Sequence, residues 1–173
     1  TVLQVKTVKR DGYDAIQVGS GEISDKKVTK PLEGHFKTSK SSPFRHLREF
    51  ESVPGFDYSL GQVFHVGLFQ EGEFVRVSGT SKGKGFTGVI KMHNFRRQRK
   101  THGNGHTERA PGSIGQASDP SRVFPGMRMA GHHGNMKVTV ENLEVVKVDV
   151  LNNQLLIKGA VPGARNGTLI ISK

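Results

Sequence analysis

Two flanks that alternate apolar and polar residues are separated by a stretch, Gly79 to Lys137, that does not alternate. It opens GTSKGKGFTGVIKMHNFRRQRKTHGNGH and continues through PGSIGQASDPSRVFPGMRMAGHHGN. Eleven Lys and Arg residues (Lys82, Lys84, Lys91, Arg96, Arg97, Arg99, Lys100, Arg109, Arg122, Arg128, Lys137) face two acids, Glu108 and Asp119. Nine of the chain's eleven net positive charges therefore fall within these 59 residues, together with eleven of its 22 glycines and five of its eight histidines. Such a segment has no apolar face with which to build a core and is not expected to fold alone. A structureless insertion of this length is usually functional or disordered. Its charge calls for a polyanion, and RNA supplies both phosphate counter-charge and a surface to pack on. The competing reading, a solvated basic loop, fits a short basic run better than one this long and patterned.

The flanks set the fold class. Thr1 to Lys9 alternates and is rich in Val and Thr, Arg10-Asp11-Gly12 carries turn chemistry, and Tyr13 to Val18 resumes, which predicts a hairpin. Ser20 to Ser42 turns polar and reads as a surface excursion with at most one short helix around His35 and Phe36. A strand is predicted over Arg45 to Phe50, with a turn at Pro54-Gly55. Leu60 to Val66 and Glu73 to Ser78 alternate around a Gln70-Glu71-Gly72 loop, predicting a second hairpin. Beyond the insertion, strands are predicted over Val138 to Val140, Leu143 to Val150, Leu155 to Ala160 and Leu169 to Ile171, with turns at Asn152-Asn153 and Pro162-Gly163. Seven to nine short strands with hardly a helix indicate a mainly β chain, a small antiparallel barrel, with the insertion leaving it between two strands. Residues 1–78 and 138–173 would form the barrel and 79–137 the extension. If the extension runs out and back, each limb has about 29 residues and reaches about 95 Å when fully extended.

Charge and composition narrow the function. A net charge of +11 over 173 residues points to nucleic acid or an acidic membrane surface, and no long apolar run or basic amphipathic helix supports the membrane. With no cysteine, disulfides and thiolate metal sites are excluded. The opening residues, without an initiator Met or a signal-type apolar core, lead us to expect an upstream piece. Enzyme motifs fail on spacing. Gly79 to Lys84 lacks the phosphate-loop pattern, and Lys84 is followed by Gly85 where that motif needs Ser or Thr. Gly112-Ser113-Ile114-Gly115 lacks the residue that a nucleophile elbow places between its first glycine and serine. His102 and His106 stand four apart, yet two intervening glycines make a poor helix for a metal pair. His132-His133 adds imidazoles without a cysteine or acid to complete a site, and His35 and His46 are isolated. Histidines set among glycines and arginines, with His93 in the same stretch, more often contact RNA. Phe86, Phe95 and Phe124 are placed to stack on bases or to anchor the arm itself.

Val77 to Phe95, Ala110 to Asn135 and Val138 to Gly163 closely resemble the large-subunit ribosomal protein family L-three, in its bacterial and organellar branch. Asp11 to Gly19 and Thr29 to Phe36 fit the earlier part of that family, so the resemblance covers nearly the whole chain. It implies a translation-factor-like β-barrel on the ribosome surface with a long loop threaded into large-subunit ribosomal RNA toward the peptidyl transferase centre. It further implies no enzymatic activity, cofactor, membrane or small-molecule substrate, and neighbouring large-subunit proteins as additional partners. The location implied is the ribosome, in a bacterial cytoplasm or an organelle. By resemblance, Gly79 to Phe86 and Lys91 to Lys100 form the root and outer part of the loop. Its tip is Ser113, Ile114, Gly115, Gln116, Ala117, Ser118, Asp119 and Pro120. Gln116 matches a glutamine methylated in some bacterial members. The chain departs from the family pattern at Arg76, where an acid or amide is expected, and at Met92, where a second basic residue follows Lys91. An opening strand with a GMT-like segment is absent, so the barrel is expected to be incomplete. The other readings are a freestanding RNA-binding barrel acting as regulator or chaperone, and a histidine-metal hydrolase built on HGNGH.

Overall fold

A computed structural model describes residues 1–53 and 55–173. The chain is mainly β, with nine strands and three short α-helices among the described residues, and it divides into two compact units.

The first unit comprises residues 1–70 and 148–155. Strands β1 (Val2–Lys6), β2 (Ala15–Glu22) and β3 (Phe44–Glu51) form an antiparallel sheet in the order β1-β2-β3, with Val5 opposite Ile16 and Ile16 opposite Phe50. The first strand ends at Lys6, not Lys9, because Val8–Asp11 forms one helical turn, α1. Helix starts leave backbone N–H groups without partners. Here the Asp11 carboxylate accepts from Thr7 N–H (3.2 Å) and the Asp14 carboxylate from Val8 N–H (2.9 Å). Gly12, at φ +86, closes the turn.

Helix α2 (Lys30–Ser39) corrects the expectation of a surface excursion. Pro31 sits in its first turn and Lys40 ends it in the left-handed region. Its Phe36 is buried with Leu3 and Phe44, and Val28 and Leu47 pack against this cluster. The Phe36 and Phe44 rings meet edge to face, 6.4 Å apart. Burying a side chain of this size contributes about 1.5–3 kcal/mol, enough for one phenylalanine to fix an otherwise polar helix. His35 on the same helix hydrogen-bonds Gln17.

The expected strand over Leu60 to Val66 does not form. Gly61, at φ +81, turns the chain there; its N–H donates to Val2 O (2.9 Å) and Val2 N–H donates to Gln62 O (2.8 Å). A 3-10 turn follows at Val66–Leu68, so the hairpin through Gln70-Glu71-Gly72 is absent as well. Of the expected Pro54-Gly55 turn, Gly55 has φ +84 and Pro54 lies outside the described residues.

The second unit comprises residues 71–147 and 156–173. Strands β4 (Phe74–Thr80), β7 (Lys137–Asp149), β8 (Gln154–Ile157) and β9 (Leu169–Ser172) form a sheet in the order β8-β7-β4-β9. Two short strands were expected where β7 runs unbroken. The register slips between Val75 opposite Leu143 and Val77 opposite Val140, and Asn142 takes φ +57. This bulge restores the inward face, so Leu143 and Val145 are buried in the unit that also buries Val75 and Val77. Arg76 donates to Ser172 Oγ at 3.3 Å across β4 and β9.

Candidate nucleic-acid interface

The basic stretch leaves and re-enters the sheet of the second unit at one point, between β4 and β7. Thr80 at the end of β4 stands opposite Lys137 at the start of β7. Gly79 carries no side chain because a β-carbon there would meet Leu169 at 2.7 Å and Pro162 at 3.1 Å. The ladder continues outward. Ser81 N–H donates to Met136 O (2.9 Å), Asn135 N–H to Ser81 O (3.2 Å) and Lys84 N–H to His133 O (2.9 Å). Strands β5 (Gly85–Thr87) and β6 (Gly131–His133) then pair, with Gly85 opposite His133, Phe86 opposite His132 and Thr87 opposite Gly131.

Strand alternation sorts the ribbon's side chains. Phe86 and His132 share the outer face, where Phe86 is 79 % exposed and His132 is exposed. Thr87 and His133 share the other, where Thr87 Oγ1 and His133 Nδ1 are buried without a hydrogen-bond partner among the described residues. Burial, then the positive charge of Lys84, Lys91, His93 and His132, holds the His133 imidazole below its ordinary pKa of 6.5.

Helix α3 (Val89–His93) caps the ribbon. Val89 is buried, Met92 lies near Gly131, and His93 Nε2 bonds Met129 O at 3.0 Å. From residue 94 to residue 130 the chain is neither helix nor strand. His102, at φ +60, and Gly103, at φ +80, rule out a helical His102–His106 pair, and no group of three His, Cys, Asp or Glu is set to hold a metal among the described residues.

The predicted contact residues sort along this arm. Lys137 is exposed at the root and Lys82 and Lys84 beside the ribbon, Lys91 is exposed on α3, and His93 and His133 are half-buried. Arg96, Arg97, Arg99, Lys100, His102, His106, Arg109, Arg122 and Arg128 are exposed along the irregular part. Ser113, Ile114, Gly115, Gln116, Ala117, Ser118 and Asp119 are exposed and Pro120 is half-buried. Arg97 pairs with Glu108 at 3.4 Å; no other Lys or Arg of the arm forms an ion pair among the described residues. The Arg122 guanidinium lies 5.1 Å from the Phe124 ring centre. Sequence reasoning named His133 but missed the ribbon, Thr87 and the burial of Thr87 Oγ1 and His133 Nδ1. Their only signal was a three-residue alternation on each limb, too short to read.

A mainly β chain that carries its uncompensated cations on a long irregular excursion falls in the class of polyanion-associated β proteins. The family profile described as Ribosomal protein L3 matches residues 57–154. A protein named large ribosomal subunit protein uL3 from Herpetosiphon aurantiacus is 49 % identical over 172 residues, covering 99 % of this chain and 81 % of that protein. Its namesake from Pasteurella multocida is 52 % identical over 170 residues (98 % and 81 %), and that from Thioalkalivibrio sulfidiphilus 52 % over 172 residues (98 % and 80 %). The chain belongs to the ribosomal protein L3 family, of bacterial type.

Proposed function

We propose that the chain is a structural constituent of the large ribosomal subunit that docks residues 79–137 into large-subunit ribosomal RNA. One observation carries this: a 37-residue irregular span, 94–130, has exposed cations of which Arg97 alone is paired, and a hydrogen-bonded ribbon holds its root. Exposed unpaired Lys and Arg repel one another until RNA phosphates neutralise them, and the counterions released from the RNA favour that docking. Lys82, Lys84, Lys91, Arg96, Arg97, Arg99, Lys100, Arg109, Arg122, Arg128 and Lys137 take phosphates. Histidines 93, 102, 106, 132 and 133 bond or stack on nucleotides.

Residues 1–78 and 138–173 act as the anchoring domain, whose strands belong to a translation-factor-like barrel. Ser113 to Pro120 reach toward the peptidyl transferase centre, with Gln116 as a methylation site. The protein performs no chemistry; peptidyl transfer belongs to the RNA, and the arm positions nucleotides around it. Neighbouring large-subunit proteins share the surface, in the cytoplasmic ribosome of a bacterial cell.

Two measurements test the reading. Large subunits sedimented through high salt should retain one copy of the protein, because a threaded arm resists the salt that weakens simple phosphate contacts. Release to the top of the gradient would instead support a freestanding RNA-binding barrel. Deleting Gly112 to Arg122 should leave the protein on the particle yet impair subunit maturation or peptide-bond formation. Wild-type activity in such particles would refute the tip's role.

A further inference from the structure

One surface of this strongly basic chain has the opposite character. Of its 26 Lys and Arg residues, none falls between Glu49 and Val75. The part of that span in the first unit carries Glu49, Glu51 and Asp57. It also exposes apolar side chains: Val53, Phe56, Leu60, Val63 and Leu68 are each more than half exposed. The aromatic rings are linked, Phe56 to Tyr58 at 5.3 Å and Tyr58 to Phe64 at 6.4 Å, and Val53 N–H donates to the Tyr58 hydroxyl at 3.3 Å. Val53 follows directly on Ser52, which lines a recess of about 570 Å³ together with Tyr13, Asp14, Glu49, Phe50 and Glu51.

We infer that this surface docks a Lys- and Arg-rich segment of a neighbouring protein in the subunit, with an apolar side chain of that segment on the Phe56–Tyr58–Phe64 cluster. The inference rests on the chain's proposed place in the large subunit. RNA is the wrong occupant on charge: Lys6 is already held by Glu49, and phosphates set against Glu51 and Asp57, in a span without Lys or Arg, meet repulsion and gain no counterion release. A protein partner fits, since interface cores are aromatic-rich and poor in charge while their rims carry complementary charge. The recess already shows the chemistry of its occupant. Lys6 ion-pairs with Glu49 at 2.7 Å and donates to the Tyr13 hydroxyl at 2.7 Å, a carboxylate and a phenol oxygen holding one ammonium. Asp14 and Glu51 extend the same lining toward a second cation from outside. Contiguous exposed apolar surface of this kind marks interaction sites.

A benzophenone photoprobe placed at position 56 or 60, with a control at position 86, tests this in large subunits purified from cells. At 56 and 60 we expect a nuclease-resistant adduct with one protein, mapped to a Lys- and Arg-rich segment, while position 86 yields an RNA adduct. An RNA adduct at 56 and 60, or none there while 86 reaches RNA, overturns the docking inference and leaves the ribosomal reading standing. No RNA adduct at 86, with the protein lost from the particle, overturns the ribosomal reading and this inference with it. Combining the probe with Glu51→Lys and Asp57→Lys, both at exposed positions, should lower the protein adduct severalfold and leave the RNA adduct at 86 unchanged. An undiminished protein adduct would overturn the charge argument.

Discussion

Gly134 packs against the carbonyl oxygen of Lys82 so closely that a β-carbon would overlap it, and its φ of +74 is one that side chains rarely adopt. The obstacle is backbone, which cannot swing aside. Gly134→Ala should therefore open the ribbon at a cost of about 1–3 kcal/mol. The readout is amide exchange at Lys84, whose N–H donates to His133 O, quickening by about 10- to 100-fold. Gly126→Ala, at φ +83 in open space, is the comparison and should leave Lys84 unaffected. Equal exchange in the two variants would remove the packing argument.

The free protein should be sharply divided in its dynamics. The sequence alone predicts free exchange from Lys91 to Asn135. The structure narrows that span to residues 94–130, because α3 and β6 lie at its two ends. After brief labelling at neutral pH, peptides within 94–130 should be fully deuterated, while those containing Val77 and Val145, both completely buried, remain protected. Protection in 94–130 matching that of Val77 would mean that the arm is ordered without RNA.

How much of this was legible in the sequence depends on where each segment's ordering forces come from. Phe74–Thr80 reads directly as a strand because Val75 and Val77 alternate onto a buried face. The single strand β7 reads as two, since a bulge at Asn142 breaks the period without breaking the pairing. Helix α1 was invisible because two carboxylates, not propensity, satisfy its first N–H groups. Helix α2 was underestimated because one side chain, Phe36, supplies most of its burial. Leu60 to Val66 misled in the opposite direction, as Leu60, Phe64 and Val66 fall in step yet Leu60 is exposed and Gly61 turns the chain. The arm's cations were legible from composition alone. Its root was not: Gly85 pairs with His133 across 48 positions, and two three-residue strands leave no periodic trace.

Affinity for RNA should fall with salt at a slope set by the number of phosphates the arm neutralises. Replacing Arg96, Arg97, Arg99 and Lys100 with Ala should lower the slope of log affinity against log salt by about 0.7–0.9 for each phosphate left without its cation, or about 3–4 in all. Arg97→Ala alone should change it least, because Glu108 already holds that guanidinium. The measurement is filter binding of the chain to large-subunit RNA across a salt series. An unchanged slope in the fourfold variant would take these residues out of the interface.

The ribbon should weaken in acid, and the direction follows from His133. Its folded-state pKa lies below the value of 6.5 expected when the chain opens. The opened chain therefore binds the proton more readily, so stability is fully present above about pH 6.5 and falls as pH drops through the folded value. The cause is local: a half-buried imidazole whose Nδ1 is buried and unpartnered, in the positive field of Lys84, Lys91, His93 and His132, disfavours a further positive charge. Amide exchange at Lys84, corrected for its intrinsic pH dependence, should quicken between pH 7 and pH 5. His133→Gln, which keeps a polar side chain that does not titrate, should flatten that dependence. A proton resonance of the His133 ring that titrates above 6.5 would reverse the sign, and would mean that a neighbouring acceptor stabilises the imidazolium more than burial and the lysines oppose it.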